Sequence, residues 1–145
     1  MSKRTQTLQI IRQLKHDRAS VFSALTDPAK MAQWFFGMKN GRARVTNDLR
    51  PGGTYTIEMI GDNKTAKPKG TYLEIVPPEK LVFTWLACTD GSESKVTVEL
   101  FKQGAGTKLV LTHELPEEQI QGHREGWGMC FDNLELYLGR ALPAA

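Results

Sequence analysis

The feature that most constrains this chain is a series of short segments in which apolar and polar residues alternate. These segments are residues 54–59, 70–76, 80–87, 96–100 and 109–113. Alternation with a period of two is typical of β-strands that bury one face. The turns between them, such as Arg50-Pro51-Gly52-Gly53 and Gly104-Ala105-Gly106, are too short for helical crossovers. The pattern therefore predicts an antiparallel meander.

Another strand and two short helices are predicted before the meander. Residues 7–14 alternate Ile and Leu with polar residues, which indicates a first strand. Asp17 can cap a short helix over residues 18–25, and Asp27 followed by Pro28 can start a second, which Gly37 would end.

The end of the chain predicts one long amphipathic helix. Pro116 is expected to open a short turn, and the main helix should run from about His123 to Gly139, where glycine favours termination. Steps of three and four residues place one apolar stripe on this helix, consisting of Trp127, Cys130, Phe131, Leu134, Tyr137 and Leu138. The predicted fold class is α+β, with about seven antiparallel strands wrapped round the C-terminal helix.

Length and composition indicate one domain over residues 1–145. No apolar run could span a membrane and no signal peptide is evident, so we expect a cytoplasmic protein that does not bind membranes. The net charge is +3, with scattered basic residues, and no nucleic-acid partner is expected. Cys88 and Cys130 have neither metal nor redox spacing, and both should be reduced, semi-buried core residues.

Four local strings give this order of elements a family resemblance. They are Asp27-Pro28 followed by Trp34, the turn at residues 50–53, the segment 70–85, and Gly126-Trp127 opening the last helix. Together they resemble the helix-grip superfamily of StAR-related lipid-transfer domains, polyketide cyclases and the birch-pollen allergen. The chain is most similar to the C-terminal domain of the activator of heat-shock protein 90 ATPase, over about residues 7–138.

The resemblance implies an apolar cavity between the sheet and the C-terminal helix. Members of the superfamily bind lipophilic molecules there, catalyse ring closure, or dock on a chaperone. The activator also has a separate N-terminal domain for which 145 residues leave no room, which argues against co-chaperone activity. We therefore expect a small hydrophobic, ring-containing ligand and no cofactor or metal. The alternative is a protein-interaction module with a chaperone or another protein as partner.

Alternation predicts which side chains would line such a cavity. The apolar and aromatic candidates are Trp34, Phe35, Tyr55, Ile57, Met59, Tyr72, Phe83, Trp85, Leu109, Leu111, Trp127 and Phe131. Side chains of this size also fill ordinary cores. Glu74 shares the face of Tyr72 and is the carboxylate expected to point inward, whereas Glu58 should point to water.

Two histidines are further candidates for the cavity. His113 continues the face of Leu111, and His123 lies one helical turn before Trp127. Such a pair could act as acid and base, or bind a metal with Glu117. Their spacing matches no known ligand pattern, and we expect each to form a hydrogen bond near the cavity rim. No nucleophilic triad or phosphate-binding loop is present, so whether any reaction follows binding is left open. Any reaction would be cyclase- or hydrolase-like and would use no metal.

Two apolar residues on the outer face of the last helix are relevant to whether the protein forms a homodimer. Met129 and Leu136 are seven residues apart and opposite the apolar stripe. Isolated exposed apolar residues are common on monomers, and the alternative is a weak homodimer through this face.

Overall fold

A computed structural model of the protein describes residues 5–86 and 93–141. It contains eight strands, three α-helices and one 3₁₀ turn within these ranges. The strands are β1 (Thr5–Leu14), β2 (Arg42–Asn47), β3 (Thr54–Ile60), β4 (Thr65–Ala66), β5 (Lys69–Val76), β6 (Lys80–Leu86), β7 (Glu93–Gln103) and β8 (Gly106–Pro116). The helices are α1 (Arg18–Thr26), α2 (Pro28–Met31) and α3 (Ile120–Ala141), and the 3₁₀ turn (Glu117–Gln119) precedes α3.

The strands form one curved antiparallel sheet in the order β1-β8-β7-β6-β5-β3-β2, and the two-residue β4 pairs with β3. The first strand lies beside the last one, in register from Thr5 opposite Pro116 to Leu14 opposite Thr107. The predicted α+β fold with about seven main strands is therefore confirmed. The meander alone did not indicate this closing pair, because β1 and β8 are far apart in sequence.

One edge strand, β2, was not predicted. It pairs only with β3 and alternates exposed Arg42 and Arg44 with half-buried Ala43 and Val45. An edge strand buries little apolar surface, so its sequence carries a weak alternation signal. Alanine also has low β-propensity.

The predicted caps of the two short helices are confirmed. Asp17 Oδ1 accepts a hydrogen bond from the backbone N–H of Ser20 at 2.8 Å. Asp27 Oδ1 accepts from the N–H of Ala29 at 2.9 Å, with Pro28 in the first turn. The second helix ends at Met31, earlier than the predicted end at Gly37. Because the helix ends early, residues 32–37 form an irregular segment, and part of this segment lines the groove described below.

Helix α3 starts and ends differently from the prediction. It begins at Ile120 rather than about His123, and it continues through Gly139 to Ala141. A helical glycine costs only about 1 kcal/mol relative to alanine, which packing of the apolar stripe can offset. That stripe faces the sheet as predicted, with Trp127, Phe131, Leu134 and Leu138 buried.

Candidate functional site

An open groove of about 430 Å³ lies between the first half of α3, the β3–β4 edge of the sheet and the chain that follows α2. Its apolar walls include Phe35, Met38, Met59, Ala66, Trp85, Trp127 and Cys130. Its polar lining includes Lys64, Thr65, Glu118, Gln119 and His123. A volume of this size and a mainly apolar lining are within the range of sites that bind small molecules.

The space behind the groove is almost filled. The cavity enclosed by the aromatic core has a volume of about 20 Å³, which is room for about one water molecule. Predicted candidates that line it are Trp34, Phe35, Tyr55, Ile57, Tyr72, Phe83, Trp127 and Phe131. Most of the predicted aromatic cluster therefore packs as core, and open volume lies only at its edge.

The structure divides the predicted cavity residues into four groups, and the first lines only the small inner cavity: Trp34, Tyr55, Ile57, Tyr72, Phe83 and Phe131. The groove is lined by Phe35, Met59, Trp85, His123 and Trp127. Leu109, Leu111 and His113 are fully buried in the sheet and line neither the groove nor the small cavity. Glu74 faces outward.

The prediction that Glu74 points inward is wrong. The register between β5 and β6 shifts between Tyr72 and Glu74, because Tyr72 is opposite Phe83 whereas Glu74 is opposite the adjacent Val82. This bulge interrupts the alternation, so Leu73 and Glu74 are both exposed. Glu74 instead forms a surface ion pair with Lys80 at 3.5 Å.

Three aromatic rings form the floor of the groove. The ring centroids of Trp85 and Trp127 are 5.0 Å apart, and Phe35 lies 5.4 Å from Trp127 and 6.1 Å from Trp85. These separations are typical of packed aromatic pairs. Trp85 comes from β6, Trp127 from α3 and Phe35 from the segment after α2. The floor therefore exists only when sheet, helix and connecting segment are assembled.

Gly37 allows the segment after α2 to approach α3. A Cβ atom on Gly37 would lie 3.0 Å from the carbonyl oxygen of Gly126 and 3.2 Å from its Cα. A Cβ atom on Gly126 itself would have no atom within 4 Å, because that position opens into the groove. The close contact at Gly126 is thus with the segment after α2, and Gly37 is the residue that must lack a side chain.

Trp34, in the same segment, is held in place by a hydrogen bond to the end of α1. Trp34 Nε1–H donates to the carbonyl oxygen of Ala24 at 3.0 Å. In a continuous helix the N–H of residue 28 would serve that carbonyl, but Pro28 has none. The combination of Asp27-Pro28 with Trp34 thus has a physical role, because the indole satisfies an acceptor that the proline leaves unpaired.

His113 is at the centre of a buried hydrogen-bond chain. Its Nδ1 accepts from Trp127 Nε1–H at 3.1 Å, and its Nε2 lies 2.7 Å from Ser94 Oγ. Ser94 Oγ in turn donates to the carbonyl oxygen of Trp85 at 3.2 Å. This pattern fits a neutral imidazole with its proton on Nε2. Burial, and secondarily the nearby His123, lower the pKa of His113 to about 3, so the ring stays neutral.

His123 occupies the groove wall next to this chain. Its ring centroid is 5.2 Å from that of His113, and its Nδ1 is 3.0 Å from the carbonyl oxygen of Gln119. Because a carbonyl only accepts, Nδ1 carries the proton and Nε2 is left as an acceptor in the neutral ring. No other residue of the described chain forms a hydrogen bond with Nε2. Both histidines therefore form a hydrogen bond as expected, but only His123 lies at the groove, because His113 is fully buried.

Trp85 also has an unused polar group. Within residues 5–86 and 93–141, Trp85 Nε1 is the one buried side-chain nitrogen or oxygen that has no hydrogen-bond partner. Trp34 and Trp127 both donate their indole N–H. The unpaired donor therefore belongs to a tryptophan that lines the groove.

Several features of the groove were not predicted as site residues. Met38, Gly37 and Ala66 lie in segments without a strong periodic pattern, and Ser94 is recognised only through its contact with His113. Cys130 was predicted only as a core residue. It is buried, and burial raises the pKa of its thiol well above the ordinary value, so it stays a neutral thiol. Cys88 lies outside the described residues.

Two other features are absent from the part of the chain that the structure describes. No three His, Cys, Asp or Glu side chains there are grouped so as to hold a metal ion. No described helix has the length and apolar character needed to cross a membrane.

Comparison with known proteins identifies relatives of the whole fold. The sequence model of the family "Activator of Hsp90 ATPase homolog 1-like protein" matches residues 15–139. A structure from Rhizobium leguminosarum is 31% identical, with a TM-score of 0.79 over 96% of this chain and 97% of that one. CalU16 from Micromonospora echinospora is 26% identical, with a TM-score of 0.74 over 92% of this chain and 76% of its own.

A third structure is similar in fold alone. The AHSA1-like protein from Aeromonas hydrophila is 21% identical and has a TM-score of 0.82 over 94% of each chain. No curated protein matched the chain by sequence.

Proposed function

The chain belongs to the family of activator of Hsp90 ATPase homolog 1-like proteins, and from that premise we propose that it binds a small lipophilic, ring-containing molecule in its groove. The observation that carries the proposal is the 430 Å³ groove with Trp85, Trp127 and Phe35 as its floor. The ligand would lie between the sheet and the first half of α3, at the edge of the aromatic core rather than inside it.

Apolar contact supplies the binding free energy in this proposal. Burial of about 200 Å² of apolar ligand surface contributes about 5 kcal/mol at 25 cal/mol per Å². Dispersion contacts with the three rings add to this, and immobilisation of the ligand opposes it. A net free energy of about 5 kcal/mol corresponds to a dissociation constant of about 0.2 mM, which is the affinity expected for a two- or three-ring molecule. The flat faces of the floor favour rings over flexible chains, which lose more conformational entropy on binding.

Tryptophan fluorescence tests the proposal with N-phenyl-1-naphthylamine, a neutral ring compound, as the probe. Binding should quench emission from Trp85 and Trp127 and raise the melting temperature. Gly126→Leu should weaken binding at least tenfold, because its side chain projects into open groove volume. Gly139→Leu is the matched control. It places the same side chain on an exposed position of the same helix and should leave affinity unchanged.

A protein-interaction module is the second candidate, and the nearly filled inner cavity of about 20 Å³ favours it. In that case the ring compounds would leave fluorescence and melting temperature unchanged in the wild type. Stimulation of a purified Hsp90 ATPase by the chain, insensitive to Gly126→Leu, would then support a surface-mediated role.

A further inference from the structure

Two side chains that line the groove, Trp85 and His123, each have a ring nitrogen whose hydrogen-bonding capacity the described part of the protein does not use. Trp85 Nε1–H is a donor without a partner, although the Trp85 side chain is more than nine-tenths buried. His123 Nδ1 carries a proton that faces the Gln119 carbonyl oxygen, so Nε2 is the acceptor in the neutral form of the ring. Both side chains line the groove, and their ring centroids are 6.4 Å apart.

The other two tryptophans show that this arrangement is particular to Trp85. Trp34 donates to the carbonyl of Ala24, and Trp127 donates to His113. Buried polar groups in folded proteins are nearly always hydrogen-bonded, since an unpaired donor forfeits the bond it would make to water. A ligand acceptor at Trp85 would restore that bond.

We propose that the groove selects ring compounds that carry a hydroxyl group, with the hydroxyl oxygen accepting from Trp85 Nε1–H and its O–H donating to His123 Nε2. The inference rests on the proposed function, since it assigns the polar contacts of the same ligand. One hydroxyl supplies both the acceptor and the donor that the two nitrogens lack. The Trp85 nitrogen is covered in the free protein, so binding includes a side-chain movement at the groove wall, which is common at interfaces.

Three naphthalenes of similar size separate these contacts. 2-Naphthol can accept and donate, 2-methoxynaphthalene can only accept, and 2-methylnaphthalene can do neither. Equilibrium dialysis gives the dissociation constant of each compound for the wild type and for two variants. Trp85→Phe keeps an aromatic ring but removes the donor, and His123→Phe keeps a ring but removes the acceptor.

Each variant should weaken the binding of a different subset of the ligands. Trp85→Phe should weaken the binding of 2-naphthol and 2-methoxynaphthalene about tenfold relative to that of 2-methylnaphthalene, because only the first two accept a hydrogen bond. His123→Phe should weaken the binding of 2-naphthol about fivefold relative to that of the other two compounds, because only 2-naphthol donates a hydrogen bond. Trp34→Phe is the control, since its N–H is already bonded inside the protein, and it should alter none of the three relative to one another.

The outcomes distinguish this inference from the proposed function. If all three compounds bind and each variant changes their dissociation constants by the same factor, the proposed hydroxyl contacts are wrong and binding is apolar only. If none of the three binds the wild type, the proposed groove function is wrong and the inference falls with it. Thermal melting of each variant in the absence of ligand checks that it is folded.

Discussion

The indole Nε1–H of Trp127 on α3 donates to Nδ1 of His113 on β8 across 3.1 Å, inside the protein. This bond joins the C-terminal helix to the strand that precedes it, 14 residues earlier in sequence. It also fixes the orientation of Trp127, whose ring forms part of the groove floor. His113 is therefore a positioning residue, with both ring nitrogens engaged, rather than an acid or base that meets a ligand.

The buried, neutral state of His113 predicts a pH dependence of stability. Its pKa is about 3 in the folded protein, against an ordinary value of 6.5, so between these values the unfolded chain binds the proton and the folded one does not. Stability should consequently fall as pH decreases from about 6.5, by up to about 1.4 kcal/mol per pH unit from this site.

His113→Gln removes the titrating group and serves as the comparison. Urea unfolding from pH 7 to pH 4 should show wild type more stable at pH 7, with its advantage over the variant shrinking as pH falls. Parallel stability curves for the two proteins would contradict the assignment of a buried neutral imidazole.

The two tryptophans with opposite hydrogen-bond status should respond differently to phenylalanine. Trp34→Phe should lower the free energy of unfolding by about 2–3 kcal/mol, since it leaves the Ala24 carbonyl without its donor and removes fully buried volume. Trp85→Phe should cost about 1 kcal/mol or less, because the N–H it removes is unpaired. Denaturant unfolding at pH 7 measures both, and equal losses would argue against the bonding difference.

The contact between Gly37 and α3 predicts a steric effect. Gly37→Ala should destabilise the fold by about 1–3 kcal/mol, because the new methyl group would meet backbone atoms of Gly126 that cannot rotate away. Gly139→Ala has open space around the added Cβ and should stabilise the protein by about 0.5–1 kcal/mol through helix propensity. A neutral or stabilising Gly37→Ala would show that the segment after α2 is free to move away from the helix.

The outward position of Glu74 predicts a small effect on both stability and binding. Glu74→Gln removes one surface ion pair with Lys80, which should change the free energy of unfolding by less than about 0.5 kcal/mol. The affinity for N-phenyl-1-naphthylamine should be unchanged, since Glu74 does not line the groove. A clear loss of probe affinity would indicate that the β5 bulge rearranges when a ligand binds.

Local sequence signals determined most of the fold. Period-two alternation located five strands of the meander and β1, the caps at Asp17 and Asp27 located the short helices, and three- and four-residue steps identified the buried stripe of α3. These signals act within a few residues, where side-chain spacing and backbone hydrogen bonding decide the structure. The edge strand β2 was missed because it buries little, and the ends of α3 were misplaced because packing offsets the cost of its glycines.

Only the tertiary structure decided which aromatic side chains fill the core and which border open space. Alternation assigns a side chain to a face of the sheet, but the volume left between sheet and helix depends on how closely distant segments pack. The contact of Gly37 with Gly126 sets the distance between the segment after α2 and α3, and a one-residue bulge after Tyr72 places Glu74 at the surface instead of on the inner face. Likewise, the indole N–H of Trp85 is unpaired and that of Trp127 is paired because the fold places different groups beside each indole. These neighbours come from distant parts of the chain, so the sequence around each tryptophan does not predict them.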